Sequence, residues 1–125
     1  MENLIIEETK YTPQIEMNAK EGNIKIVGKS YPENTFEFYE PVMKWLEVYF
    51  NGNAKKQTIL NLEIIYFNSS SSKLFFDLFD LLEEFNSKNL IMINWTYDEE
   101  NESALEAGED FKEDFENLTI NLIVK

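Results

Sequence analysis

Cysteine, histidine and arginine are absent from this sequence of 125 residues. Without cysteine there is no disulfide framework and no thiolate nucleophile. Without histidine the commonest general base and metal ligand are missing, which excludes Ser-His-Asp and Cys-His catalysis and zinc sites built on imidazole or thiolate. Without arginine there is no bidentate fork for phosphate or carboxylate. Glycine and proline are also scarce, at four and three residues, so there is no Gly-rich phosphate loop and no flexible linker. No apolar run approaches the ~20 residues that span a bilayer, and the opening Met1-Glu2-Asn3-Leu4-Ile5-Ile6-Glu7-Glu8 lacks a basic signal-peptide start. The expectation is a single cytoplasmic domain over residues 1–125 that is not an enzyme and uses no metal or cofactor.

What is present is acid and aromatic surface. The formal net charge is -13, with 14% aromatic residues. Such a chain repels nucleic acid and anionic membranes, so proteins are the expected partners. Glu99, Glu100, Glu102, Glu106, Glu109, Asp110, Glu113 and Asp114 lack the spacing of a calcium loop and read as a solvated helix face.

Periodicity gives the architecture. Ile15 and Met17, then Ile24 and Ile26, alternate with polar residues around the turn Ala19-Lys20-Glu21-Gly22 and predict an N-terminal β-hairpin, with a further edge strand within Met1 to Thr12. Glu33 to Asn51 has a helical apolar face that includes Phe36. Asn34 or Thr35 caps it, Pro41 is expected to kink or restart it, and Asn51-Gly52-Asn53 stops it. Gln57 to Phe67 is a near-continuous apolar strand, expected to be central and covered on both faces. Two more helices (Lys73 to Phe85, Asn101 to Phe115) alternate with two more strands (Leu90 to Tyr97, Leu118 to Val124). A hairpin followed by three helix–strand units predicts an α/β fold with a mixed, largely parallel sheet packed with helices, on one face or on both.

The candidate site is Ser69-Ser70-Ser71-Ser72, at the carboxyl end of the buried strand where the second helix begins. Asn68 and the serines can simply cap that helix. A phosphoryl group there would instead add about -1.5 to -2 charges beside the positive end of a helix. Leu74, Phe75, Leu78, Phe79, Leu81, Leu82 and Phe85 form an apolar arc of roughly 160°, wider than the ~100° one sheet needs, and Phe76 lies outside it. Phe76 and Phe79 are therefore expected at a docking surface, unless the helix is buried on more than one side. A small-molecule sensor, binding a nucleotide or other anion at the same helix start, is the alternative.

Four segments, Ser30-Tyr31-Pro32-Glu33-Asn34, Tyr66-Phe67-Asn68-Ser69-Ser70-Ser71, Phe79-Asp80-Leu81-Leu82-Glu83-Glu84 and Trp95-Thr96-Tyr97-Asp98, together resemble the SiaC-type bacterial regulatory phosphoproteins. That resemblance covers most of the chain and implies a STAS-like fold, similar to anti-sigma-factor antagonists. It implies a phosphoacceptor at Ser69, with Ser70 second, acted on by a partner-switching protein kinase and a phosphatase. It further implies that the unmodified form binds and activates a diguanylate cyclase, promoting cyclic di-GMP signalling and biofilm formation. The chain departs from the family in having serine where threonine is usual, and a fourth serine at Ser72. The expected partner-binding set is Tyr31, Pro32, Glu33, Asn34, Asn68, Ser70, Ser71, Phe76 and Phe79.

Overall fold

The computed structural model describes residues 1–125, the side chain of Asn53 excepted. Six strands form one sheet in sequence order: β1 (Leu4–Ile6), β2 (Gln14–Asn18), β3 (Asn23–Ser30), β4 (Gln57–Phe67), β5 (Leu90–Tyr97) and β6 (Thr119–Val124). β1, β2 and β3 pair antiparallel, and β3 to β6 are parallel. The three parallel connections contain α1 (Thr35–Val48), α2 (Ser69–Asn86) and α3 (Glu102–Asp114). This is the expected mixed α/β sheet, with β1 as the edge strand.

The topology answers what periodicity left open, namely which faces the helices cover. Each parallel crossover advances one strand in the same direction, and right-handed crossovers of that kind place every helix on one face. The burial pattern agrees. Register brings Met17, Ile24, Leu60, Ile93 and Ile120 into one buried row. On β4 the residues Thr58, Leu60, Leu62 and Ile64 are buried, whereas Gln57, Asn61 and Ile65 are exposed. β4 is thus central, but the expectation that both its faces are covered is corrected: half of its apolar run faces outward.

The core is the single layer between sheet and helices. α2 lies in the middle of that layer and meets both neighbours: Phe85 stacks on Phe50 (ring centroids 5.2 Å apart), Phe75 meets Tyr39 of α1 (5.8 Å), and Phe79 meets Phe111 of α3 (4.6 Å). At Gly108 of α3 a Cβ would lie 2.6 Å from Trp95 Cδ1, so glycine lets α3 sit directly on the Trp95 indole. That indole donates to the Ala104 carbonyl at 2.9 Å.

Pro41 does not restart α1, which runs through it unbroken from Thr35 to Val48. The proline lies on the exposed side of the helix, where the carbonyl it cannot serve can face water. The end of α1 passes into a π-helical turn, Tyr49–Asn53, around the expected stop. A β-bulge at Gly28/Lys29 sets the local geometry of the candidate site. Gly28, at φ 134°, pairs with Ile64, and Lys29 pairs with Tyr66, so Ile65 is skipped. The Ile65 carbonyl accepts from Asn101 Nδ2 at 2.9 Å, which ties the bulge to the N-cap of α3.

Candidate functional site

The serine run is the first turn of α2 and not a loop before it. α2 begins at Ser69, four residues earlier than periodicity suggests. Serine has no apolar signal to extend the pattern, and it is a weak helix former, so the wheel stops at Lys73. Asn68 is the N-cap: its Oδ1 accepts from Ser71 N at 2.9 Å and its carbonyl accepts from Ser72 N at 3.0 Å.

Helical geometry then gives the four hydroxyls different surroundings. Ser71 points inward and is 0% exposed. Its hydroxyl donates to the Ser30 carbonyl at 2.8 Å and lies 2.8 Å from Ser30 Oγ, which is itself 2.6 Å from the Tyr39 hydroxyl. The Ser30 carbonyl also accepts from Asn68 N at 3.2 Å. This buried chain fastens the end of β3, α1 and the start of α2 together. Burial pushes the Tyr39 hydroxyl well above the usual tyrosine range, with the Ser30 hydrogen bond a smaller opposing cause, so Tyr39 stays neutral and can serve the chain as a donor. Ser71→Ala is expected to destabilise the fold by about 1–2 kcal/mol, because Ser30 loses a buried partner. Urea unfolding of the variant checks this, and an unchanged midpoint would show that the chain contributes nothing.

Ser69 and Ser70 are exposed and open in different directions. Ser69 lies at the end of a groove between α2 and α3, of about 620 Å³, whose walls include Lys73, Phe76, Asp77, Asp110 and Asp114. Ser70 faces the start of α1, beside Glu33, Asn34, Phe36 and Glu37. Lys73 lies between the two, its Nζ 5.9 Å from the centre of the Phe36 ring. The Ser71 amide is already taken by Asn68, so the helix start offers an anion fewer donors than an uncapped one.

The expected partner-binding residues separate accordingly. Phe76 is 45% exposed on the groove wall, with its ring 4.9 Å from Phe115. Phe79 is corrected: it is 0% exposed, enclosed by Phe111 and Phe115, and belongs to the core. The wide apolar arc of α2 is explained by burial against sheet, α1 and α3 together, and only Phe76 is surplus to it. Pro32 and Ser71 are also buried, so neither presents a surface. Glu33 and Asn34 are exposed. Asn34 caps α1, accepting from Glu37 N at 3.1 Å while its Nδ2 donates to Glu37 Oε2 at 3.0 Å. Tyr31 stands apart from the groove, its ring held edge-on between Tyr11 (5.2 Å) and Tyr66 (5.4 Å).

Sequence reasoning missed Phe36. The helical wheel puts it on the apolar half of α1, yet it is 48% exposed beside Lys73 and the serine turn. It lies in the first turn of α1, where Lys73 of α2 reaches its ring without covering it. No described helix is long and apolar enough to cross a membrane.

Comparison with known proteins places this geometry. Residues 6–125 match the model of the SiaC family regulatory phosphoprotein. An uncharacterized protein of Pseudomonas aeruginosa (strain UCBPP-PA14) is 36% identical over 115 residues, spanning 91% of this chain and 90% of that protein. The structure of SiaC of Pseudomonas aeruginosa superposes with a TM-score of 0.85 at 31% identity, over 100% of this chain and 98% of that one. A chain in the crystal structure of the diguanylate cyclase SiaD in complex with its activator SiaC, from the same organism, superposes with a TM-score of 0.89 at 32% identity, over 98% of this chain and 99% of that one. The chain belongs to the SiaC family of regulatory phosphoproteins.

Proposed function

We propose that this SiaC-family chain is a cytoplasmic, non-enzymatic adaptor of one domain whose unmodified form docks on a diguanylate cyclase and activates it, and whose docking is opposed by phosphorylation of Ser69. A protein kinase and a phosphatase of a partner-switching module set the balance, and the output is cyclic di-GMP signalling. The likeness to a chain found with a diguanylate cyclase supports the choice of partner. The observation that carries the choice of switch is the sorting of the serine turn: Ser69 is exposed and shares a groove with the half-exposed Phe76, while Ser71 is locked in the core.

A partner surface lying over Phe76 must also cover Ser69, which lines the same groove. A neutral hydroxyl is covered at little cost. A phosphoryl group brings about -1.5 to -2 charges to a wall that already holds Asp77, Asp110 and Asp114, and covering it requires its desolvation. Lys73, one turn on, is the cation of that groove, with its Nζ over the Phe36 ring on the Ser70 side. Ser70, the second acceptor, would put the charge beside Glu33 and Glu37 on the α1 side.

Phosphosite mapping of the protein purified from its own cells, with its co-purified partners identified, tests this reading. The expected result is a phosphopeptide modified at Ser69 and a diguanylate cyclase that accompanies only the unmodified form. Modification confined to residues outside the serine turn would end the proposal.

A further inference from the structure

The helices cover one face of the sheet and leave the other bare across all six strands. The bare face has a definite construction. Register aligns Asn61, Asn94 and Asn121 across β4, β5 and β6, and their amides form a ladder: Asn94 Nδ2 donates to Asn61 Oδ1 and Asn121 Nδ2 to Asn94 Oδ1, both at 3.1 Å. Apolar side chains flank the ladder. Ile59 and Met92 lie in the row on one side and Ile123 in the row on the other, with Leu90 beyond and Ile5 at the β1 edge. Ile5, Leu90 and Ile123 count among the exposed large hydrophobic residues.

Charge distinguishes this face from the rest of the molecule. The strands carry Glu16 and Glu63 against Lys25 and Lys29, a net charge of zero, and Lys125 bonds Glu63 at 2.8 Å. The three helices carry thirteen Asp and Glu against three Lys, and so hold ten of the chain's 13 net negative charges. Two copies of a chain with this charge repel through their helical sides. The bare face is where they can meet without like charges opposed.

We propose that the bare sheet face is a homotypic docking surface, on which a second copy of this chain stacks sheet against sheet. Six strands at ~4.8 Å spacing, averaging about seven residues at ~3.3 Å rise, give a face of roughly 650 Å², within the range of about 600–1,000 Å² per partner of ordinary specific interfaces. Stacked sheets lie ~10 Å apart with strand directions nearly aligned. The acidic helical layers then face outward, separated by more than a Debye length of about 10 Å at 0.1 M salt. The amide ladder enters the interface with its central groups already bonded to one another, which lowers the cost of covering it. The arrangement leaves the α2–α3 groove free on both copies, so it is independent of the adaptor reading above.

Sedimentation equilibrium of the purified full chain, across protein concentration and salt, is the test. Expected is a rise from the 14.8 kDa chain mass toward twice that value, with association tightening as salt is raised, because screening removes the residual repulsion. Ile59→Lys and Met92→Lys, each placing a charge on the bare face, are each expected to weaken association at least tenfold while keeping the melting temperature that the wild type has when dilute enough to be monomeric. If one of them fails to fold, the other carries the comparison. A wild-type protein that stays at its chain mass up to about 0.5 mM in about 0.5 M salt overturns the proposal and leaves the face to a different protein. Association that both folded lysine variants retain in full also overturns it.

Discussion

Phe79→Ala is expected to cost about 3–5 kcal/mol of folding stability, as deletions of fully buried aromatic rings do. Its ring has no exposed surface and touches Phe111 and Phe115 at 4.6 and 5.8 Å between centroids, so its loss opens a cavity between α2 and α3 that neither helix can close without leaving the sheet. The contrast lies three residues earlier. Phe76→Ala removes a half-exposed ring with one aromatic contact, to Phe115, and should cost about 1 kcal/mol. Its effect is expected on binding: affinity for the diguanylate cyclase falls at least tenfold, about 1.4 kcal/mol, as for an aromatic anchor at an interface. Chemical denaturation of both variants, with binding measured on the folded fraction, separates the two roles. A Phe76 variant as unstable as the Phe79 variant would place Phe76 in the core; one that binds like wild type would remove it from the docking surface.

Ser69→Ala is expected to abolish phosphorylation by the cognate kinase while leaving the melting temperature within the range of ordinary surface changes, about 0.5 kcal/mol. The hydroxyl is exposed, and no hydrogen bond of the α2 cap depends on it: the cap is made by Asn68 to the amides of Ser71 and Ser72. Two neighbours sharpen the prediction. Ser71→Ala should leave phosphorylation intact in the protein that still folds, because the Ser71 hydroxyl is engaged with Ser30 and out of reach. Ser70→Ala should also leave it intact, because the Ser70 hydroxyl opens toward α1 and not toward the groove. Incorporation of phosphate into the Ser69 variant at the wild-type level sinks the assignment; loss of phosphate only in the Ser70 variant transfers it to Ser70.

The contrast between these residues also shows what a sequence can carry. The strands, the order of the helices and the mixed sheet were legible, because apolar periodicity reports directly on which side of an element is covered. The number of covered faces was not. β4 reads as apolar throughout, and only the uniform direction of the three crossovers shows that one of its faces is bare. The same gap misplaced Phe79: a helix wheel gives the width of an apolar arc but not whether a partner or a sister helix fills it. Phe36 was hidden for the opposite reason, since periodicity counts it with the core although its ring is 48% exposed beside Lys73. Within the serine turn, composition offered four equal hydroxyls. The differences among them arise from the helical turn, which points Ser71 inward onto Ser30 and leaves Ser69 and Ser70 exposed; the bulge that puts Ser30 in register with Phe67 is hinted in the sequence only by Gly28 within its strand. The choice of Ser69 rests on family resemblance; in the structure Ser69 is exposed and lines the same groove as Phe76.

The central claim is that a phosphoryl group on Ser69 controls docking. Its most direct test is the affinity of the purified diguanylate cyclase for this protein in two forms, unmodified and stoichiometrically phosphorylated at Ser69, at one ionic strength. Binding of the phosphorylated form at least tenfold weaker, with cyclase activation lost in parallel, is the predicted result; equal or tighter binding of the phosphorylated form would contradict it.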